Sequence, residues 1–149
     1  MLETCAPRRV AICDDTPAFA EEARLRILLV EDDPNDAELV QACLAEAARG
    51  GAEIVRATSL AEGLHVLTTQ TIHLTVLDLD LPDSAGFDTL DQLRAAARAP
   101  IVVLTGNPHP ALVSEALKRR AYGALRKSEL EAGALMRIVH LVQMHRQKR

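Results

Sequence analysis

Residues 27–36 read Ile27-Leu28-Leu29-Val30-Glu31-Asp32-Asp33-Pro34-Asn35-Asp36, and this stretch sets the fold. Four consecutive apolar residues leave no side of a strand for water. They suit a strand buried on both faces, as in a parallel sheet covered by helices. The run stops at acids, and Asp33-Pro34 opens a helix. Asp33 can accept from the first unpaired N–H groups, Pro34 suits the first turn, and Asp36 faces the positive end of the helix dipole. This helix is expected to run to about Arg49, where Gly50-Gly51 stops it.

The same alternation repeats along the chain. A second strand is expected over Glu53–Ala57. Ser59 and Glu62 form a capping box, opening a helix with Leu60, Leu64 and Leu67 on one face. The third strand, Ile72–Leu77, ends at Asp78. A loop from Leu81 to Gly86 leads to a helix from about Phe87 to Ala97. Pro100 precedes a fourth strand, Ile101–Leu104, and the loop from Thr105 to Pro110 opens a helix to about Arg120. A short strand, Ala124–Arg126, ends at Lys127. Ser128 and Glu131 make a second capping box. The last helix turns Leu135, Ile138, Val139 and Val142 inward. The pattern predicts an α/β fold of the (βα)5 kind, a doubly wound, five-stranded parallel sheet.

Ligands bind such sheets at the carboxyl ends of the strands. The residues there are Glu31-Asp32-Asp33, Asp78, Thr105 and Lys127. Clustered carboxylates repel one another unless a cation neutralises them, and Mg²⁺ prefers such oxygens. Asp78 beside a metal can attack a phosphoryl group as a nucleophile. A hydroxyl (Thr105) and an ammonium (Lys127) can hold the remaining phosphoryl oxygens.

The totals exclude other classes. A chain of 149 residues suits one domain. Its formal charge of −4 gives no nucleic-acid signal. No apolar run approaches the ~20 residues that span a bilayer, and the N-terminus has no signal-peptide architecture. Three cysteines, Cys5, Cys13 and Cys43, have no metal-type spacing, so free thiols in a reducing cytoplasm are expected. The five histidines show no ligand spacing either.

The N-terminus carries a near-copy of the deciding stretch, Arg9-Val10-Ala11-Ile12-Cys13-Asp14-Asp15-Thr16-Pro17. Spacing assigns the second copy to the sheet. Between Asp32 and Asp78 there is room for one helix, one strand and one helix, whereas starting at Asp15 would force an insertion. The first copy is a vestigial duplicate, a chance match or a strand that pairs between chains. We expect residues 1–25 to form an N-terminal extension, a mobile or loosely docked helical arm. Residues 26–145 form the domain and residues 146–149 a basic tail.

The segments ILLVEDDPND, LTVLDLDLPDSAGFDTL, IVVLTG and ALRKSEL, in this order and at this spacing, resemble the receiver domains of two-component response regulators. The resemblance covers about Ile27 to Gln143. It implies a flavodoxin-like sheet in the order 2-1-3-4-5. It implies that Asp78 is the phosphoacceptor, that Asp32 and Asp78 bind Mg²⁺ with Glu31 acting through water, and that Asp80 gives its backbone carbonyl to the metal. Thr105 would sense the phosphoryl group and Lys127 would pair with it. Asp80 and Asn107 sit where the family tunes the lifetime of the phosphorylated state. The implied donor is a sensor histidine kinase or a histidine phosphotransfer protein, with small phosphodonors as substitutes. The expected output is contact with a downstream protein by a monomer or weak dimer, without nucleic acid or membrane. The chain would be a phosphoacceptor that assists its own phosphorylation and dephosphorylation, not an enzyme in the usual sense.

Three departures stand out. Many receivers have an aromatic residue three positions before the lysine, where this chain has Ala124, with Tyr122 two residues earlier. The usual relay from threonine to aromatic is therefore expected to be absent or rerouted. Ser128 stands where Pro or Gly is common. Lys118-Arg119-Arg120 and Arg126 form a basic face, either solvated or a dock for an acidic partner. Two other functions compete. Asp78-Leu79-Asp80-Leu81 resembles the Asp-x-Asp motif of haloacid-dehalogenase-type phosphatases, but there the nucleophile comes early and the acidic pair follows the lysine. The second is a receiver-like interaction module that works without phosphorylation, to which the missing aromatic lends some weight.

Overall fold

The computed structural model describes residues 24–106 and 110–147. Five strands form one parallel sheet: β1 (Leu25–Val30), β2 (Ala52–Ala57), β3 (Leu74–Asp78), β4 (Ile101–Thr105) and β5 (Gly123–Arg126). Their order is β2-β1-β3-β4-β5, the expected 2-1-3-4-5. The helices are α1 (Pro34–Ala47), α2 (Leu60–Thr69), α3 (Phe87–Ala96), α4 (Pro110–Lys118) and α5 (Ala134–Gln147).

Alternation along the buried strands sorts the core into two layers. Ile27 and Leu29 face α1 and α5, where they cluster with Val40, Leu44, Leu135 and Val139. Leu28 and Val30 point the other way, towards Leu60, Leu90, Leu93 and Ala116. Helix α2 approaches β1 closely at Gly63, where a Cβ would stand 3.2 Å from Val30 Cγ2.

Helix ends follow local chemistry. Asp33 caps α1, accepting from the N–H of Asn35 at 2.8 Å. The capping pair of α2 forms with one partner shifted: Ser59 Oγ accepts from the Glu62 N–H at 3.2 Å, while Glu62 accepts at 2.7 Å from the N–H of Thr58, the residue before the cap. The C-terminus of α1 closes with the Gly50 N–H on Ala45 O and the Arg49 N–H on Glu46 O, with Arg49 left-handed at φ 52°.

Several expectations change. Strand β3 begins at Leu74, not Ile72, because the His73 side chain replaces a ladder partner: its Nδ1 accepts the Arg26 N–H at 2.9 Å. The second capping box does not open a helix. Residues Lys127–Ala132 form a 3-10 turn, Gly133 takes a left-handed φ of 82°, and α5 starts only at Ala134. Within the expected loop, Asp80–Leu81 pairs with Ser84–Ala85 as a two-residue antiparallel ladder. Leu25 already belongs to β1, paired with Ala52, and α5 continues to Gln147. Residues 1–23 of the expected arm, with the near-copy motif, Asn107, and the last two residues of the tail lie outside the described residues.

Candidate functional site

The parallel register gathers the singled-out residues on one edge of the sheet. Asp78 ends β3, level with Leu104, and Thr105 follows as the last residue of β4. Both are buried. Val30 pairs with Leu77, so Glu31 lies level with Asp78. It is fully buried, and its N–H donates to Ala57 O at 2.9 Å. Thr105 pairs with Arg126, which delivers Lys127 to the same edge.

Glu31, Asp32 and Asp78 each place one carboxylate oxygen within 4.8 Å of the others. This all-oxygen set fits a hard divalent cation such as Mg²⁺. The electrostatics agree. Burial, then the hydrogen bond and charge of Asp78, push the Glu31 carboxyl up to about 7, against the opposing pull of Lys127. A bound cation would relieve that crowding. Asp80 lies two residues beyond Asp78, in the small ladder opposite Ala85.

Lys127 is the cationic counterpart. Its Nζ stands 2.7 Å from Asp36 Oδ2, 3.1 Å from Glu31 Oε1 and 3.4 Å from Asp78 Oδ2. Burial opposes its charge, but Asp36, Glu31 and Asp78 outweigh that and hold the ammonium above its usual range.

Two contributors were missed in the sequence. Asp36 reads there as a helix-dipole acid, yet it makes the shortest contact to Lys127. Arg56, near the end of β2, donates from Nε to Glu31 O at 3.1 Å and from Nη2 to Asp32 O at 3.1 Å. It therefore braces the backbone that carries two metal-type acids. Its sequence signal was faint: one arginine near the end of β2, a strand that also carries Glu53, beside a neighbouring strand that is followed by acids. Asp83, in the loop after Asp78, accepts from the N–H groups of Leu60 at 2.8 Å and Ala61 at 3.0 Å, tying that loop to α2.

The departures resolve in part. Ala124 pairs with Val103, inside the sheet. Tyr122 is exposed, and its N–H donates to Ile101 O at 2.7 Å, at the opposite end of β4 from Thr105. It is therefore badly placed to take over as an aromatic relay partner. Within the basic stretch, Arg119 is engaged: it pairs with Glu115 and Asp91 and lies 5.1 Å from the centre of the Phe87 ring. It fastens α4 to α3, which removes one charge from the supposed docking patch.

A doubly wound sheet with an acidic trio, a buried hydroxyl-bearing strand end and a lysine on one edge defines a signal-receiving domain of the CheY-like kind. The family model for the response regulator receiver domain matches residues 27–140, and the chain belongs to that family. Solved structures agree on the fold. The CheY-like receiver domain protein from Methanospirillum hungatei JF-1 superposes with a TM-score of 0.70 at 22% identity, covering 85% of this chain and 99% of that one. The receiver domain of the Francisella response regulator 1452 gives 0.68 at 20%, covering 82% and 98%. Among curated proteins, the uncharacterized transcriptional regulatory protein YrkP of Bacillus subtilis is 34% identical over 80 residues, 54% of this chain and 33% of that protein. The cell cycle transcriptional regulator CtrA of Caulobacter vibrioides is 33% identical over 84 residues, 56% and 35%. The matches thus span about a third of these relatives' length. No helix among the described residues is long and apolar enough to cross a membrane.

Proposed function

We propose that this chain is a Mg²⁺-dependent phosphoaspartate switch, with Asp78 as phosphoacceptor. The observation that carries this reading is the convergence on Asp78 of Glu31 and Asp32 from one strand end and of Lys127 from another. A carboxylate oxygen of Asp78 attacks the phosphorus of a phosphohistidine on a sensor kinase or phosphotransfer protein. The P–N bond breaks, and the imidazole leaves with the electron pair. Asp32, Asp78 and the Asp80 backbone carbonyl would hold Mg²⁺, with Glu31 acting through water. The metal, when bound, supplies positive charge against the phosphoryl oxygens. Thr105 and Lys127 then take the other phosphoryl oxygens.

The acyl phosphate biases a two-state equilibrium by a few kcal/mol, enough to switch a partner. We read the output as contact with a downstream protein in the cytoplasm, and the chain as an acceptor and not a turnover enzyme. The missing relay aromatic favours one other reading, a receiver-like interaction module that works without phosphorylation.

Intact-protein mass after incubation with Mg²⁺ and acetyl phosphate separates the two. One phosphoryl adduct on the wild type and none on Asp78→Asn is expected. No adduct on either protein would select the interaction module. Turnover of a phosphate ester would revive the phosphatase alternative.

A further inference from the structure

We infer that Asp36 is a positioning residue that parks Lys127 beside the site and releases it when Asp78 carries a phosphoryl group. The inference rests on the phosphoaspartate reading and adds a part to it.

A lysine ammonium has three donors and no acceptor. In this structure three carboxylates surround Nζ: Asp36 at 2.7 Å, Glu31 at 3.1 Å and Asp78 at 3.4 Å. The tightest of these is the one outside the acidic trio. A phosphoryl group on Asp78 takes over the Asp78 contact, the longest of the three, and for Nζ to close on its oxygen one of the two tighter contacts must loosen.

Burial decides which one. The Glu31 side chain is 1% exposed. Its Oε1 is buried without a regular hydrogen bond, so Lys127 is its counter-charge. Withdrawing the lysine from it would strand a buried anion, a costly event. The Asp36 side chain is 38% exposed, and water can take over its oxygen at little cost. Asp36 is therefore the contact that gives way. It belongs to the first turn of α1, whereas Lys127 opens the 3-10 turn before α5. The parked lysine thus adds a polar link between two elements that also share the core on the same face of the sheet, and its release removes that link.

The role is competitive, so removing Asp36 should favour the phosphoryl-bound state. The test is the affinity for fluoroberyllate, a phosphoryl mimic, at saturating Mg²⁺, in wild type, Asp36→Asn, Lys127→Ala and the double variant. Asp36→Asn should bind about three- to fivefold tighter, the range of one partly exposed ion pair. In the Lys127→Ala background the same substitution should change nothing, because the parked group is gone. Asp36→Glu should stay near wild type. A merely structural role would lower the melting temperature and weaken binding, the opposite direction. Unchanged or weaker binding by Asp36→Asn overturns the inference while leaving the phosphoaspartate reading intact. Equal tightening with and without Lys127 also overturns it, assigning the effect to charge near the metal. No fluoroberyllate binding by the wild type overturns the underlying reading and this inference together.

Discussion

The ammonium nitrogen of Lys127 stands 3.4 Å from Oδ2 of Asp78, across 49 residues of sequence. It is brought there by the pairing of Thr105 with Arg126 at the end of β5. Its replacement by Ala should leave the fold intact, since no core side chain is lost. It leaves Glu31 and Asp78 without their nearby cation, so metal-free stability should fall by about 2 kcal/mol. Fluoroberyllate affinity should fall about tenfold or more, because a charge-assisted contact to the phosphoryl mimic is gone. Circular dichroism, denaturant titration and the binding isotherm check all three. A normal isotherm would remove Lys127 from the site.

Proton competition at Glu31 gives a pH signature. Its carboxyl is pushed from the ordinary 4.5 up to about 7 by burial and by Asp78. Between those values the metal-free folded chain holds a proton that the unfolded chain has lost. The stability linked to this group is therefore fully present below about pH 4.5 and is lost as pH rises through about 7. Binding of Mg²⁺ needs the charged form, so its apparent affinity should rise with pH, by about tenfold per unit below 7 for one displaced proton, and then level off. Calorimetric Mg²⁺ titrations at several pH values test this. Glu31→Gln should flatten the profile, and a wild-type profile that is already flat would contradict the assignment.

Asp83 works through the backbone of another element. Its carboxylate takes the Leu60 and Ala61 N–H groups at the start of α2, and these bonds hold its carboxyl below the usual 3.8. For a depressed carboxyl, the stabilisation is present above the unfolded value and lost as pH falls through the folded one. Asp83→Asn should therefore lower the melting temperature by a few degrees at neutral pH. The gap from wild type should close at strongly acidic pH. A gap that persists there would mean that the side chain's shape, not its charge, is what matters.

The strand-end residues were legible because each reports its own strand. An apolar run followed by an acid, a hydroxyl or a lysine marks a carboxyl end, and the parallel topology then gathers those ends. Asp36 and Arg56 were not legible, because their roles depend on which elements become neighbours. An acid in a first helical turn is already explained by the dipole, so nothing in the local pattern asks for Lys127, 91 residues away. The turn at Lys127–Ala132 misled for another reason. Ser128 and Glu131 have capping-box spacing, but the left-handed Gly133 separates them from the helix that they were expected to start. Ile72 misled because strand hydrophobicity says nothing of a histidine side chain standing in for a backbone acceptor.

Helix α4 ends much as α1 does, with an arginine in a left-handed conformation. The Ala121 N–H donates to Ala116 O and the Arg120 N–H to Leu117 O, the closing pattern that usually has glycine at the position of Arg120. Arg120 has φ 70°, a conformation that costs a residue with a Cβ about 1–2 kcal/mol. Glycine removes that cost but loses more entropy on folding, about 0.5–1 kcal/mol. The net expectation for Arg120→Gly is a gain of about 0.5–1 kcal/mol, seen as a higher denaturant midpoint with an unchanged slope. Arg120→Ala serves as the control, because alanine keeps the Cβ and should show no such gain. Equal gains from both substitutions would place the benefit in removing a charge from Lys118-Arg119-Arg120, not in relieving the backbone.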